Sequence, residues 1–271
     1  MRRVIAIANQ KGGVGKTTTT INLGAALAED GNRVLLIDMD PQGALSTGLD
    51  VRLGPDNRSM YQVLMAGIPL SSIIVHTEVN LDLAPANLDL AGAEVELVRG
   101  AGLWQFTLKD RLDVVAAHYD FILIDCPPSL GILTYNCLVA ADEVIIPVET
   151  QYFAWEGMRL LFETIANVRH PRLNPKLKIA GILPTMYDGR TRHCREIMQE
   201  LRKAYGKMLF KTVINRTIKL ADATVAGQSI LSFSKSSDVT QAYRRLSLEV
   251  QNVQASISGP TGKPKPALQR R

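Results

Sequence analysis

Glycines and lysines are concentrated between residues 10 and 18, where the sequence reads Gln-Lys-Gly-Gly-Val-Gly-Lys-Thr-Thr. Glycines let backbone N–H groups turn inward around anionic oxygens, because no Cβ obstructs their approach. Lys16 could then reach the terminal phosphates of a nucleotide, and the Thr17 hydroxyl could reach Mg²⁺. The predicted nucleotide-binding loop consists of Lys11, Gly12, Gly13, Val14, Gly15, Lys16, Thr17 and Thr18.

This loop departs from the usual G-x-x-x-x-G-K-[ST] pattern at two positions. Gln10 stands where the first glycine is expected, and an extra lysine, Lys11, lies five residues before Lys16. An apolar run at residues 4–8 precedes the loop and a helical pattern follows it, which is the strand–loop–helix context of a phosphate-binding loop. This context argues against a glycine-rich turn with incidental lysines.

Two further apolar runs end in aspartates. The run at residues 34–37 is followed by Asp38 and Asp40, and the run at residues 121–124 is followed by Asp125. Ligands of parallel sheets bind at the carboxyl ends of strands. A single aspartate there is often a turn former or helix cap, but three in a chain with a phosphate loop favour a magnesium site. The predicted metal-binding residues are Thr17, Asp38 and Asp125.

Composition favours one globular domain in the cytoplasm. The chain has 271 residues, of which 46% are hydrophobic, and its three cysteines form no C-x-x-C pair, which argues against a disulfide framework or a zinc site. No apolar run reaches the roughly 18 residues of a membrane span. The first residues pass directly into a short apolar run that does not resemble a signal peptide. We therefore expect a cytoplasmic protein that does not bind membranes.

Apolar β-branched runs alternate with helical patterns along most of the chain, which is typical of a parallel sheet with helices on both faces. Predicted strands are residues 4–8, 34–38, 81–84, 121–125, 144–148, 179–183 and 212–214. Predicted helices are residues 17–29, 60–66, 88–98, 103–117, 134–140, 155–168, 192–205, 218–226 and 239–256. The sequence thus predicts an α/β fold, a single-domain P-loop NTPase with a mostly parallel, twisted sheet.

Positive charge is concentrated in two segments, although the net charge is only +5. Residues 190–219 contain nine basic and two acidic residues, and residues 259–271 contain four basic and no acidic residues. The final segment is also rich in proline and glycine, so it cannot bury enough apolar surface to fold alone. We predict a folded domain at residues 1–257 and a disordered basic tail at residues 258–271.

Three motifs together resemble a known family. Residues 11–18 (Lys-Gly-Gly-Val-Gly-Lys-Thr-Thr), 38–43 (Asp-Met-Asp-Pro-Gln-Gly) and 124–129 (Ile-Asp-Cys-Pro-Pro-Ser) are similar to segments of the ParA/Soj partitioning ATPases. That family serves chromosomes or plasmids and lies in the deviant Walker A class that includes MinD. The resemblance extends from about residue 3 to about residue 250. It includes residues 90–97, 146–148, 152–154, 185–191 and 216–220.

The resemblance implies an ATPase that uses ATP and Mg²⁺ and forms a sandwich homodimer when ATP is bound. By this resemblance Lys11 reaches across the interface to the partner's ATP, and Asp40 orients or activates the attacking water. Lys16 and Lys11 offset charge on the γ-phosphate, while Thr17 and Asp125 hold Mg²⁺. The implied catalytic residues are Lys11, Lys16 and Asp40.

The resemblance also implies two macromolecular partners. One is a ParB/Spo0J-like centromere-binding protein that stimulates hydrolysis. The other is double-stranded DNA, and because no base-reading module is visible, we expect contacts to phosphates without sequence preference and with strong salt dependence. ATP-bound dimers would then be associated with the nucleoid. Candidate DNA-binding residues are Arg190, Arg192, Arg195, Arg216 and Lys219.

The nucleobase contacts are predicted at Met186 and Asn215. The family commonly has proline at the positions of Asn215 and Thr224, so this chain departs from the family pattern near the base. The residues expected to contact phosphates follow the family pattern.

Three alternatives are compatible with a loop of this type. A MinD-like, membrane-associated division-site ATPase needs a C-terminal amphipathic helix, whereas the residues after 257 are mainly glycine, proline and charged or polar residues. An electron-transfer protein like the nitrogenase iron protein needs paired cysteine ligands, and we interpret Cys126 and Cys137 as packing residues. A nucleotide-binding scaffold without turnover would not need Asp40.

Overall fold

One sheet of seven strands lies at the centre of the computed structural model, which describes residues 2–54, 57–77, 81–99, 103–150 and 155–252. The strands are β1 (Arg3–Ile7), β2 (Val34–Asp38), β3 (Val75–His76), β4 (Asp82–Ala84), β5 (Phe121–Asp125), β6 (Glu143–Glu149) and β7 (Lys178–Thr185). Their order in space is β3-β4-β2-β5-β1-β6-β7. All neighbouring pairs are parallel except β3 with β4.

Helices pack against both faces of this sheet. Those in the described part of the chain are α1 (Lys16–Glu29), α2 (Ala44–Gly48), α3 (Met60–Met65), α4 (Leu90–Arg99), α5 (Thr107–Val115), α6 (Ile132–Ala140), α7 (Trp155–Val168), α8 (Arg192–Tyr205), α9 (Lys219–Val225), α10 (Ile230–Phe233) and α11 (Asp238–Asn252). The predicted α/β P-loop fold, with a mostly parallel sheet covered on both sides, is therefore confirmed.

Two hydrophobic cores lie on opposite faces of the sheet. Val4 and Ala6 of β1 belong to one core, whereas Ile5 and Ile7 belong to the other, because successive side chains of a strand point to opposite faces. Helices α5 and α6 contribute to the first core, and α1 and α11 contribute to the second. Burial on both faces explains why these strands are apolar at consecutive positions.

The predicted strand at residues 212–214 is wrong. The backbone N–H and the hydroxyl of Thr212 both donate to the Glu249 carboxylate of α11, at 2.7 and 2.5 Å. Because the Glu249 side chain accepts the Thr212 backbone N–H, that N–H cannot bond a neighbouring strand, and the segment does not extend the sheet as a regular strand. Within this segment, the Ile214 N–H donates to the carbonyl of Pro184 in β7 at 2.9 Å.

Other differences concern short elements and helix ends. The two-residue β3 and the short helices α2 and α10 were not predicted, because such lengths carry too few residues for a periodic pattern. The helix predicted at residues 103–117 is α5 flanked by 3₁₀ turns at Trp104–Phe106 and Ala116–His118. Residues 253–256 of the last predicted helix, the predicted domain boundary and the predicted tail lie outside the described residues. In the part of the chain that is described, no helix is both long enough and apolar enough to span a bilayer.

The strand register places the predicted carboxylates together. Asp38 is directly opposite Asp125 in the pairing of β2 with β5, and Asp125 is opposite Ile7 at the end of β1. Because parallel strands end on the same side, the loops after β1, β2 and β5 meet at one edge, which we call the carboxyl edge. Strands β6 and β7 also end there, with Glu149 opposite Thr185.

Candidate active site

The glycine-rich loop leaves β1 at the carboxyl edge and leads into α1. Gly13 and Gly15 have φ values of +74° and +88°, in the left-handed region where a side chain would be strained. Gly15 is the N-cap of α1, so Lys16, Thr17 and Thr18 form the first helical turn. The N–H groups of such a turn have no acceptors within the helix and can bind an anion.

The middle of the loop is anchored to β7. Val14 is buried, and its carbonyl accepts a hydrogen bond from the Thr185 hydroxyl at 2.9 Å. Gly12, in contrast, is exposed, and among the described residues no atom outside residues 11–13 lies within 4 Å of the position that a Cβ would take there. The loop is therefore fixed on one side and open where Gly12 faces solvent.

Lys16 is the buried cation of the site. Only 7% of the residue is exposed, and its Nζ donates to the Lys11 carbonyl at 3.3 Å. Burial lowers the pKa of Lys16 below its usual value, while the negative charge of Asp125 opposes this shift. The ammonium is thus held inside the loop, where phosphate oxygens would offset the cost of its burial.

Asp125 and Thr17 meet as the sequence predicted. The Thr17 hydroxyl donates to Asp125 Oδ2 at 2.6 Å, and the Thr20 hydroxyl lies 3.3 Å from Asp125 Oδ1. Burial raises the pKa of Asp125 to about 8, and the neighbouring Asp38 adds to this shift. A cation bound at this point would stabilise the ionised carboxylate.

Asp38 is held by a residue that the sequence did not indicate. The backbone N–H and the hydroxyl of Ser46 both donate to Asp38 Oδ2, at 2.9 and 2.7 Å, and the Asp40 N–H donates to Oδ1 at 3.2 Å. Burial raises the pKa of Asp38 to about 6, against the effect of the Ser46 hydrogen bonds. Both carboxylate oxygens of Asp38 therefore accept hydrogen bonds from the chain, and its predicted part in the metal site stays a prediction.

Asp40 occupies the loop between β2 and α2. It is half-buried, its Oδ1 accepts the Gln42 N–H at 3.0 Å, and its carbonyl accepts the Gly43 N–H at 2.9 Å. Gly43 has φ +61°, and a Cβ there would lie 3.0 Å from the Ala86 carbonyl. The turn therefore requires glycine, and it places Asp40 at the carboxyl edge with Asp38.

Lys11 lies beside β6. Its backbone N–H donates to the Asn9 side chain at 3.0 Å, and its Nζ lies 2.5 Å from Glu149 Oε2. The side chains of Lys11 and Glu149 are 32% and 16% exposed. The sequence singled out Lys11 but gave no sign of Glu149, which becomes a candidate only because β6 ends next to the loop.

The two predicted nucleobase residues are close in the fold. Met186 follows β7 with φ +51°, and the next residue, Tyr187, forms an isolated bridge with Asn215. Asn215 is exposed and Met186 is half-buried. Met186 directly follows Thr185, which bonds Val14 of the phosphate loop, so Met186 and Asn215 lie near that loop. Their contact with a nucleobase stays a prediction.

The five predicted DNA-binding residues, which we call the basic surface, lie on and beside the segment after β7. Arg195 Nη1 donates to the carbonyls of Gly189 and Arg190, at 2.7 and 3.1 Å. The Arg216 N–H donates to the Tyr187 carbonyl at 3.0 Å. The fold thus brings Arg216 next to the segment that carries Arg190, and Lys219 follows Arg216 by three positions at the start of α9. The members are Arg190, Arg192, Arg195, Arg216 and Lys219.

The residues of the carboxyl edge fit a nucleoside triphosphate with Mg²⁺. The first turn of α1 and Lys16 could provide donors for phosphates, and Thr17 and Asp125 carry oxygen atoms of the kind that Mg²⁺ prefers as ligands. Among the described residues, no group of three or more His, Cys, Asp and Glu side chains is placed to hold a metal unaided. A magnesium ion would therefore depend on phosphate and water oxygens to complete its shell.

The sequence of this chain is similar to those of several known proteins. A family model described as an AAA domain matches residues 2–179. The chromosome partitioning protein ParA of Caulobacter vibrioides is 45% identical over 92% of this chain and 93% of its own length. The sporulation initiation inhibitor protein Soj of Bacillus subtilis is 44% identical, over 92% and 98%.

A similar fold has been solved with nucleotide bound. The crystal structure of cobyrinic acid a,c-diamide synthase from Mycobacterium smegmatis with bound ATP analogue and magnesium has a TM-score of 0.80 and 40% identity, covering 91% of this chain and 93% of that one. ATP and Mg²⁺ are accordingly consistent with this site, and the relatives support nucleotide hydrolysis as the activity. By its identity to ParA and Soj over 92% of its length, the chain belongs to the ParA/Soj family of chromosome-partitioning ATPases.

Proposed function

We propose that this chain is an ATP-dependent DNA-partitioning switch. With ATP bound, two copies form a sandwich dimer that binds double-stranded DNA without sequence preference. Hydrolysis separates the copies and releases the DNA. A ParB/Spo0J-like centromere-binding protein stimulates hydrolysis, so that dimers associate with the nucleoid and are removed near that partner. Membership of the ParA/Soj family supports both the partner and the role in segregation.

A single connection between the phosphate loop and the basic surface carries this proposal. Thr185 donates to the Val14 carbonyl of the loop, and the chain then runs directly to Arg190. Tyr187 within this segment bonds the backbones of Ile214 and Arg216, at 3.1 and 3.0 Å. A movement of the loop on nucleotide binding would therefore reach both parts of the basic surface through a few residues.

The arginines of this surface are placed to exchange partners with DNA phosphates. Arg190 pairs with Asp188 at 2.7 Å and Arg192 with Glu196 at 2.7 Å, while the two arginine side chains are 90% and 87% exposed. The carboxylates are less exposed, at 18% for Asp188 and 54% for Glu196, but ion pairs with a solvent-exposed arginine contribute little to stability. Phosphates can therefore replace these carboxylates at small cost, and counterion release would favour binding at low salt.

Hydrolysis needs a positioned water and stabilisation of phosphate charge rather than covalent chemistry. Asp40 is half-buried and carries its carboxylate at the carboxyl edge, where it can accept a proton from, or orient, the attacking water. Lys16 holds a cation against the developing charge. Thr17 and Asp125 hold Mg²⁺, which offsets phosphate charge when bound. The loops after Asp40 and Asp125 are then ordered or released according to the γ-phosphate.

Lys11 joins the two copies in this proposal. A second lysine beside Lys16 in the same pocket would add repulsion between like charges. Directed at the phosphates of the other copy, Lys11 instead gains an opposite charge, and the exposed Gly12 permits close approach there. The Lys11→Ala variant should keep some ATP binding as a monomer and lose ATP-dependent dimers in sedimentation. Normal dimers in that variant would refute the role.

DNA retention in different nucleotide states tests the switch. The protein is mixed with DNA fragments of unrelated sequence and ADP, ATP or a non-hydrolysable ATP analogue, over a series of salt concentrations. We expect retention with ATP and the analogue, little with ADP, and a steep loss with salt. A preference for one DNA sequence, or equal retention with ADP, would overturn the proposal.

Charge reversal then locates the DNA surface. Arg190→Glu combined with Lys219→Glu should abolish ATP-dependent retention at physiological salt and leave ATP-dependent dimerisation intact. Arg172→Glu is a matched control, because Arg172 is also exposed but precedes β7, at the opposite end of that strand from Arg190. If the double variant retains DNA as the control does, the basic surface is not the DNA site.

A further inference from the structure

Lys11 and Glu149 form an ion pair inside one subunit. The Lys11 ammonium lies 2.5 Å from the Glu149 carboxylate, and the glutamate side chain is only 16% exposed. In the proposed function, Lys11 contacts the phosphates bound to the other subunit. The ion pair competes with that contact, because the Lys11 ammonium must leave Glu149, or be shared with it, to reach those phosphates.

The backbone holds these two residues side by side. The Ala8 N–H donates to the Ile145 carbonyl at 3.1 Å, and the Asn9 side chain donates to the Pro147 carbonyl at 2.7 Å. The loop after β1 therefore continues alongside β6, and Lys11 comes level with Glu149. Asn9 also fixes the Lys11 backbone through Oδ1 at 3.0 Å. The sheet thus holds the backbones of Lys11 and Glu149 close enough for their side chains to pair.

Glu149 lies at the carboxyl edge among groups that bind phosphate. It is opposite Thr185 in the sheet, and Thr185 holds the Val14 carbonyl of the phosphate loop. The Glu149 carboxylate adds negative charge beside the phosphate loop. Pairing with Lys11 masks that charge in the single subunit.

We propose that Glu149 is a positioning residue that holds Lys11 within its own subunit and thereby raises the ATP concentration needed for dimerisation. This inference rests on the proposed trans role of Lys11. When ATP is present in two subunits, their phosphates outcompete Glu149 for the two ammonium groups. The Lys11–Glu149 ion pair, which we call the latch, thus disfavours the dimer at low ATP concentration.

Sedimentation across an ATP titration tests the latch with the full chain. Glu149→Gln removes the charge but keeps the shape, so dimers should form at lower ATP, with a dimer association constant raised roughly 25-fold, or about fivefold for each subunit. Binding of ATP to the monomer should not change. Glu143→Gln is the matched control, since Glu143 is at the other end of β6 and pairs with Arg3 of β1 rather than with Lys11.

A double variant shows whether the effect passes through Lys11. Under the latch, Lys11→Ala and Lys11→Ala/Glu149→Gln should behave alike, because without the lysine there is nothing to release. Wild-type protein that stays monomeric with ATP would refute the proposed function itself. Wild-type dimers together with an unchanged or raised ATP requirement in Glu149→Gln would refute the latch alone.

Discussion

The nucleotide site and the basic surface place charged side chains in opposite surroundings. Asp38 and Asp125 are fully buried, and each accepts two or more hydrogen bonds. The side chains of Arg190 and Arg192 are 90% and 87% exposed, and they pair with carboxylates two and four residues away in the sequence. Buried charges need fixed partners, because an unpaired one is costly away from water. The function of the nucleotide site should therefore depend on the exact positions of its charged groups. The function of the basic surface should depend mainly on how much positive charge it carries.

The largest expected effect tests the chemistry of the buried region. Asp40→Ala should lower ATP turnover by about 10²–10⁴-fold, the usual contribution of a positioned proton acceptor. Because binding is retained, the variant should accumulate as an ATP-bound dimer on DNA. Phosphate release and DNA retention measure the two effects. Asp110→Ala, at an exposed position of α5, serves as control, and unchanged turnover in Asp40→Ala would remove Asp40 from the mechanism.

A second effect follows from the pKa values of the buried carboxyls. Burial raises the pKa of Asp38 to about 6 and of Asp125 to about 8, above the roughly 3.9 of an unfolded chain. The folded state therefore binds these protons more tightly, so their stabilisation is complete below pH about 4 and is lost as the pH rises through both values. Without nucleotide, the free energy of unfolding should fall between pH 4 and 8, on the order of a few kcal/mol.

The Asp125→Asn variant isolates that effect. Its urea-unfolding free energy should exceed that of the wild type at pH 8 and approach it at pH 5, because asparagine cannot ionise. Mg²⁺ with ATP should also reduce the pH dependence of the wild type by favouring the ionised carboxylate. If the free energy of unfolding changed with pH in the same way for the wild type and for Asp125→Asn, the raised pKa of the Asp125 carboxyl would be contradicted.

A smaller effect is expected at Ser46. Ser46→Ala removes the hydroxyl that donates to Asp38 at 2.7 Å in a buried setting, so the free energy of unfolding should fall by about 1–3 kcal/mol. Ser72→Ala is the matched control, because its hydroxyl donates to the Pro69 carbonyl at an exposed position. The two variants are compared in urea. Equal stabilities would mean that Asp38 does not depend on Ser46.

The smallest effect on stability is expected at the basic surface. Arg192→Ala removes one exposed ion pair and should change the free energy of unfolding by no more than about 0.5 kcal/mol. It should nevertheless weaken DNA retention and reduce the slope of log affinity against log salt by about one. Unfolding in urea and a salt titration give both values. A large loss of stability would show that the surface is structural rather than a phosphate-binding face.

The prediction failed mainly where long-range contacts override local pattern. Residues 212–214 have a strand-like composition, yet Glu249, 37 residues from Thr212, takes the donor that a strand would use. The helix α2 is too short to show a period, but it supplies Ser46. In both cases the deciding partner is distant in sequence, and no local rule indicates it.

Closely spaced glycines, lysines and strand-ending aspartates predicted phosphate chemistry from the sequence, because such residues together permit few other uses. Runs of apolar residues also indicated the alternation of strands and helices. The strand order that sets Asp38 opposite Asp125 and brings Glu149 to Lys11 became visible only in the folded chain. Those contacts depend on how separate segments pack against one another. Because the free energy of that packing comes from residues far apart in the chain, no local sequence pattern indicates it.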